Sequence, residues 1–202
     1  MDMYRLLLWV PLVLYAASSW PQILTNYRRK EASGLSQWML FLRVTTVLFY
    51  LSYIFLCDLP FAHKVLYPWC VGGLLVLAVQ TYCYRQSSAQ TLLLRVLYGV
   101  VVAVLGMIVL YGQQNPIGAG MLAGWVSFFG GIGSDIPQIY RNWWRKSTVG
   151  FSPLFALLIG LGGLCDLIVS IYFCLPLPTL LTTARVVVCC SVYFVQFWLY
   201  RH

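Results

Sequence analysis

The chain is expected to be an all-α membrane protein: seven transmembrane helices arranged as two parallel three-helix repeats joined by a linker helix (3+1+3). Three observations predict this. Of its 202 residues, 61% are hydrophobic and only 9% are charged, with a mean hydropathy of +0.80; a soluble domain needs far more charge to cover its surface. A segment then occurs twice. Residues 16–42 read AASSWPQILTNYRRKEASGLSQWMLFL and residues 132–158 read IGSDIPQIYRNWWRKSTVGFSPLFALL. They align without a gap at an offset of 116 residues, with Pro21/Pro137, Gln22/Gln138, Asn26/Asn142, Lys30/Lys146, Gly34/Gly150 and Ser36/Ser152 identical. An internal repeat fixes the architecture before any single element does. Finally, the positive residues fall in the turns between apolar runs, the pattern of an orientation signal and not of a nucleic-acid surface.

A spanning helix needs about 20 mainly apolar residues. Span 1 runs from Tyr4 to Asn26. The Met-Asp-Met start leads straight into it with no small-residue cleavage site, so it reads as a helix and not a removed signal. Span 2 covers Trp38–Leu56 and span 3 Val65–Tyr84. Span 4 covers Leu92–Tyr111, span 5 Ala119–Asn142, span 6 Pro153–Phe173 and span 7 Leu177–Tyr200. The division is therefore 1–84, the first repeat; 85–118, the linker helix with its loops; and 119–202, the second repeat. The extra crossing keeps the copies parallel and leaves a solute path between them.

Arg28, Arg29, Lys30, Arg85, Arg145, Lys146 and Arg201 border one side, and only Arg5 and Lys64 the other. The positive-inside rule puts the C-terminus in the cytoplasm and the N-terminus outside or in a lumen. A bacterial inner membrane and an endolysosomal one both fit. The seven cysteines have no metal-like spacing, and Cys57 and Cys174, at equivalent span ends, leave a disulfide as an option. No cofactor or metal is expected. An enzyme is not expected either: no nucleophile stands with a base, and the histidines are peripheral, His63 in a turn and His202 terminal.

Within each copy the Pro-Gln pair carries the chemistry. A helical proline frees the carbonyl four residues earlier, which in lipid must be satisfied again. Gln22 and Gln138 can donate and accept, covering backbone groups on a neighbouring element. Pro21 and Pro137 thus read as hinges that close one side of a cavity, with a static packing kink as the alternative. Asn26 and Asn142, one turn on, either line the mouth or cap the helix end. Four charges lie well within spans, Arg43, Asp135, Asp166 and Arg185, where each needs a partner or water. Matched depth pairs Arg43 with Asp135 across the path, which makes Asp135 the proton-coupling candidate, and pairs Asp166 with Arg185 as a structural ion pair. Gly124, Gly130, Gly131, Gly133, Gly160, Gly162 and Gly163 favour close helix packing. Trp20 and Trp125 are open to a solute-stacking reading, while Trp143 and Trp144 fit interfacial anchors.

WPQILTNYRRKEASGLS and IPQIYRNWWRKSTVGFS, in this seven-span order, resemble the PQ-loop family. That family includes cystinosin and lysosomal or vacuolar basic-amino-acid exporters, and more distantly SWEET sugar transporters and the KDEL receptor. The resemblance covers nearly the whole chain and implies a carrier of a small amino acid, often proton-coupled. A sugar carrier and a non-transporting receptor share the fold. Cystine-type relatives carry an aspartate before Gly-Gly in the helix after the second motif; here Ile159 stands in its place.

Overall fold

The computed structural model describes residues 8–32, 35–84 and 88–200. Tyr4, Arg5, Gly34, Arg85, Arg201 and His202 lie outside them. Among the described residues seven α-helices follow one another: α1 (Trp9–Arg29), α2 (Gln37–Leu56), α3 (Phe61–Tyr84), α4 (Ser88–Gly112), α5 (Pro116–Arg145), α6 (Pro153–Tyr172) and α7 (Leu177–Leu199). Of the described residues, those in α2, α3, α5, α6 and α7 are long and apolar enough to cross a membrane on composition alone. The apolar part of α4 counted there is Leu97–Gly112, and α1 is interrupted by SSWPQ and ends in Arg28 and Arg29.

The repeat extends to the backbone. The Ser36 and Ser152 side chains accept from Met39 N–H and Phe155 N–H, each at 3.3 Å, and so start α2 and α6 as N-caps. Lys30 and Lys146 end α1 and α5 in the left-handed region, at φ 52° and 47°. Asp58 and Cys174 end α2 and α6 in the same way, at φ 51° and 48°. Each pair is separated by the 116-residue offset.

Within each repeat the third helix lies between the other two: α3 packs on α1 and α2, and α7 packs on α5 and α6. Across the repeats α2 packs on α5 and α1 on α6, two equivalent seams. The linker α4 leans on α5 and α2. The α2–α5 seam is close because a Cβ at Gly130 would meet the Thr46 methyl at 2.7 Å. Leu35, Met39, Leu40, Phe151, Phe155 and Tyr193 form an apolar core between the repeats, near the end that carries Lys30 and Lys146; this end is called the basic side below. Outward faces are greasy. Val102, Leu110, Phe129 and Trp198 are all more than 60% exposed, a surface suited to lipid.

Candidate functional site

The two glutamines reach across the repeat boundary. Gln22 of the first copy donates to the Gly150 carbonyl at 2.9 Å and accepts the Ser152 N–H at 2.8 Å. Gln138 of the second copy accepts the Ser36 N–H at 2.8 Å. A backbone N–H can only donate and a carbonyl can only accept, so these partners fix which way the Gln22 amide points. Both glutamines are fully buried. They cover backbone at the start of the facing repeat's second helix, through which α6 and α2 are capped. Pro21 and Pro137 remain inside continuous helices.

The same amides run inward as chains. Gln22 Nε2 donates to Asn26 Oδ1 at 2.8 Å, and Asn26 Nδ2 donates to Gln80 Oε1 at 3.4 Å. Gln138 Nε2 donates to Asn142 Oδ1 at 2.8 Å, and Asn142 Nδ2 donates to Gln196 Oε1 at 2.9 Å. Gln80 and Gln196 then donate to the Ile23 and Ile139 carbonyls at 3.2 and 2.9 Å. Asn26 and Asn142 are therefore buried links between the first and third helices of each repeat, and their side chains neither line a mouth nor cap a helix. Gln80 and Gln196 escaped the sequence reading, although both stand in a Val-Gln pair at the 116-residue offset.

Below this layer Asp135, 1% exposed, gathers three donors. Oδ1 accepts from Arg43 Nη2 at 3.4 Å and from Tyr193 Oη at 3.0 Å, and Oδ2 is held by Arg185 Nη1. Arg185 Nη1 also donates to the Gly131 carbonyl at 2.7 Å. A Cβ at Gly131 would meet the guanidinium carbon at 2.7 Å, so any larger residue would force the end of the arginine to move. The expected contact between Arg43 and Asp135 is present. The expected ion pair between Asp166 and Arg185 is not. Helix α7 packs against α5, and the flexible arginine stem carries its charge to Asp135; depth along one helix does not reveal which neighbour a long side chain faces. One carboxylate thus stands between two guanidiniums, and the cluster retains one positive charge.

Further from the basic side, a partly open cavity of about 100 Å³ lies at the seams between the repeats, room for several waters or one small solute. Arg43 and Arg185 line it together with Ser18, Ser19, Thr46 and Asp166. Asp166 is fully buried and faces His63, whose Nε2 is 4.0 Å away. The sequence reading left His63 in a turn. Helix α3 instead begins at Phe61, directly after Pro60, and the His63 N–H returns to the Pro60 carbonyl at 2.9 Å, which turns the ring into the core.

Other expectations resolve simply. Cys57 and Cys174 are free thiols, because Cys57 points to the start of α5, where its Sγ is 3.9 Å from the Ile117 carbonyl. Trp20 faces outward and Trp125 stacks on Phe129 at 6.0 Å, so neither lines the cavity. Trp143 and Trp144 are exposed at the basic side, with Lys146 Nζ 4.8 Å from the Trp143 ring. Among the described residues no three His, Cys, Asp or Glu side chains gather as a metal site.

Comparison with known proteins agrees with this geometry. A eukaryotic SWEET transporter of known structure superimposes with a TM-score of 0.68 over 99% of each chain, at 9% identity, so the likeness is one of fold. Cystinosin of Drosophila melanogaster is 28% identical over a region covering 71% of this chain. The chain spans 42% of that protein's length. The model of the PQ loop repeat matches residues 3–63 and 119–179, two segments set apart by the same 116 residues. These matches cover more than half of the sequence, and the chain belongs to the PQ-loop repeat family.

Proposed function

We propose that the protein is a membrane carrier for a small polar solute, an amino acid, which it moves by alternating access between its two three-helix bundles. One observation carries this reading: a charged cavity lies at the repeat interface, and nearer the basic side glutamines cross from each repeat to the other. Parallel-repeat carriers place their solute at such an interface and rock one bundle against the other. The likenesses to cystinosin and to a SWEET transporter support the same class.

In this reading the basic side faces the cytoplasm. Residues 1–84 and 119–202 are the moving units, with 85–118 as their tether. Pro21 and Pro137 give α1 and α5 their bending points. Asp135 couples the motion: when the clamp opens, water replaces a guanidinium partner and the carboxylate's affinity for a proton changes. Arg43 then turns toward the solute path.

The test is uptake into proteoliposomes, with labelled amino acids and sugars in competition. Saturable amino-acid flux that sugars do not compete supports the proposal. Sugar flux alone would replace the substrate class, and binding without net flux would indicate a receptor. Asp135→Asn should abolish uptake or its pH dependence; normal pH-dependent uptake in that variant would remove Asp135 from the mechanism.

A further inference from the structure

The two buried aspartates differ in one respect. Asp135 has three donors on its carboxylate, whereas neither oxygen of Asp166 accepts a hydrogen bond among the described residues. The Tyr15 hydroxyl lies beside Asp166 without closing a bond of ordinary geometry. His63 is also fully buried, with both ring nitrogens unpartnered. A buried carboxylate without closed hydrogen bonds costs several kcal/mol, so a donor brought into the cavity by a solute would be favoured at Asp166.

The walls say what kind of group fits. Tyr15, Tyr50 and Tyr67 line the cavity with Asp166. The Tyr50 and Tyr67 ring centroids are 4.8 Å apart, and His63 stacks on Tyr67 at 6.1 Å. Aromatic faces attract a cation and repel an anion. The guanidiniums of Arg43 and Arg185 line the same cavity and are only half-neutralised by Asp135. Ile159, the counterpart of Arg43 in the second repeat, lies seven residues before Asp166 on α6. Seven residues of helix rise about 10 Å, so the Asp166 position lies about that far in height from the Arg43 position, while Arg185 lies nearer the Asp166 level.

We propose that Asp166, with His63 and the three tyrosines, forms an ammonium-binding subsite that takes the protonated amine of the solute. An ammonium supplies three N–H donors that the carboxylate oxygens of Asp166 can accept, with His63 packed behind Asp166 and Tyr67. The residual positive charge of Arg43 and Arg185 is left for the solute's carboxylate. This rests on the carrier reading for the solute's origin, and the subsite itself can be tested without transport.

The test is equilibrium binding of propylamine, propionate and propanol to the purified full chain in nanodiscs at constant ionic strength, read by the shift in thermal unfolding with concentration. Propylamine should bind the wild type more tightly than propanol does. Asp166→Asn should raise its apparent Kd by about 10- to 100-fold, the value of a charged hydrogen bond. Tyr67→Leu should raise it roughly 2- to 30-fold and Tyr67→Phe should leave it unchanged, as a cation–ring contact requires. The tyrosine pair decides the matter should Asp166→Asn fail to fold. No preference for propylamine over propanol in the wild type, or equal binding in Asp166→Asn and Tyr67→Leu, overturns the subsite. Loss of pH-dependent uptake in Asp166→Asn with amine binding intact would make Asp166 a proton site instead, and also overturns it. Amine binding without flux retains the subsite and removes the carrier; flux of an uncharged solute without amine binding does the reverse.

Discussion

Replacing Gln22 with alanine should open the basic side. The wild-type amide makes three hydrogen bonds, to Asn26 Oδ1, the Gly150 carbonyl and the Ser152 N–H, at 2.8, 2.9 and 2.8 Å. Gly150 is half-buried and can find water. The Ser152 N–H and Asn26 Oδ1 are buried, and each such orphan costs about 1–3 kcal/mol. The closed state should therefore lose about 2–6 kcal/mol. With the clamp open, these groups are hydrated with or without the amide, so the open state should change little. The open population should rise roughly 30- to 20,000-fold. Cys190 reports this: it is 4% exposed and packs in the apolar core with Leu35 and Phe151. With the other six cysteines removed, a water-soluble thiol reagent should label Cys190 at least about 30-fold faster in Gln22→Ala. Gln138→Ala should act in the same direction through Ser36. Gln22→Glu separates packing from hydrogen bonding: it keeps an acceptor for Ser152 but sets oxygen against oxygen at Gly150 and Asn26, so its labelling should quicken as pH rises. Unchanged labelling and an unchanged unfolding midpoint in both alanine variants would refute the clamp.

Further tests bear on the layers beneath. Gly131→Ala should displace Arg185 from Asp135 and cost about 1–3 kcal/mol, visible as a lowered unfolding midpoint that Arg185→Leu partly restores. Asp135→Asn leaves two guanidiniums without a countercharge and should cost about 3–5 kcal/mol; Asp135→Asn with Arg185→Leu should be more stable than the single change. Gln196→Leu breaks the Asn142 chain and the contact to the Ile139 carbonyl, a loss of about 1–3 kcal/mol in thermal unfolding. On the opposite side the Lys64 ammonium bonds Asp58 and holds its carboxyl below the usual aspartate range. Because that folded-state value is lowered, any stability it gives is present at neutral pH and fades as pH falls through it. Lys64→Met should move the Asp58 titration upward by NMR.

What could be read from the sequence was periodic or local. Seven apolar runs gave seven helices, and the 116-residue offset found the seams, since parallel copies at one spacing admit few arrangements. The Ser36 and Ser152 caps were implicit in Gly-x-Ser. What escaped reading was azimuth and reach. Arg185 was assigned to Asp166 because depth was the coordinate at hand, while the side chain turns to α5. His63 was placed in a loop because polarity was taken to mark the helix end; Leu59-Pro60 just before it was the better signal, since proline opens helices. Gln80 and Gln196 were hidden by stopping the alignment at the second helix of each copy.

The crossing of the glutamines has a consequence for how the halves depend on each other. Each repeat carries the bolt for its partner and the keeper for its partner's bolt. Neither half, expressed alone, could complete a closed latch, and closure is bimolecular in spirit though unimolecular in fact. A substitution at Gln22 is read out 130 residues away at Ser152, and one at Gln138 is read out 102 residues back at Ser36. Both latches lie toward the same end of the molecule, so under the carrier reading a slip of one should loosen the seam holding the other. Two weak fastenings in this arrangement should release together, which would give the proposed carrier a single, shared gate.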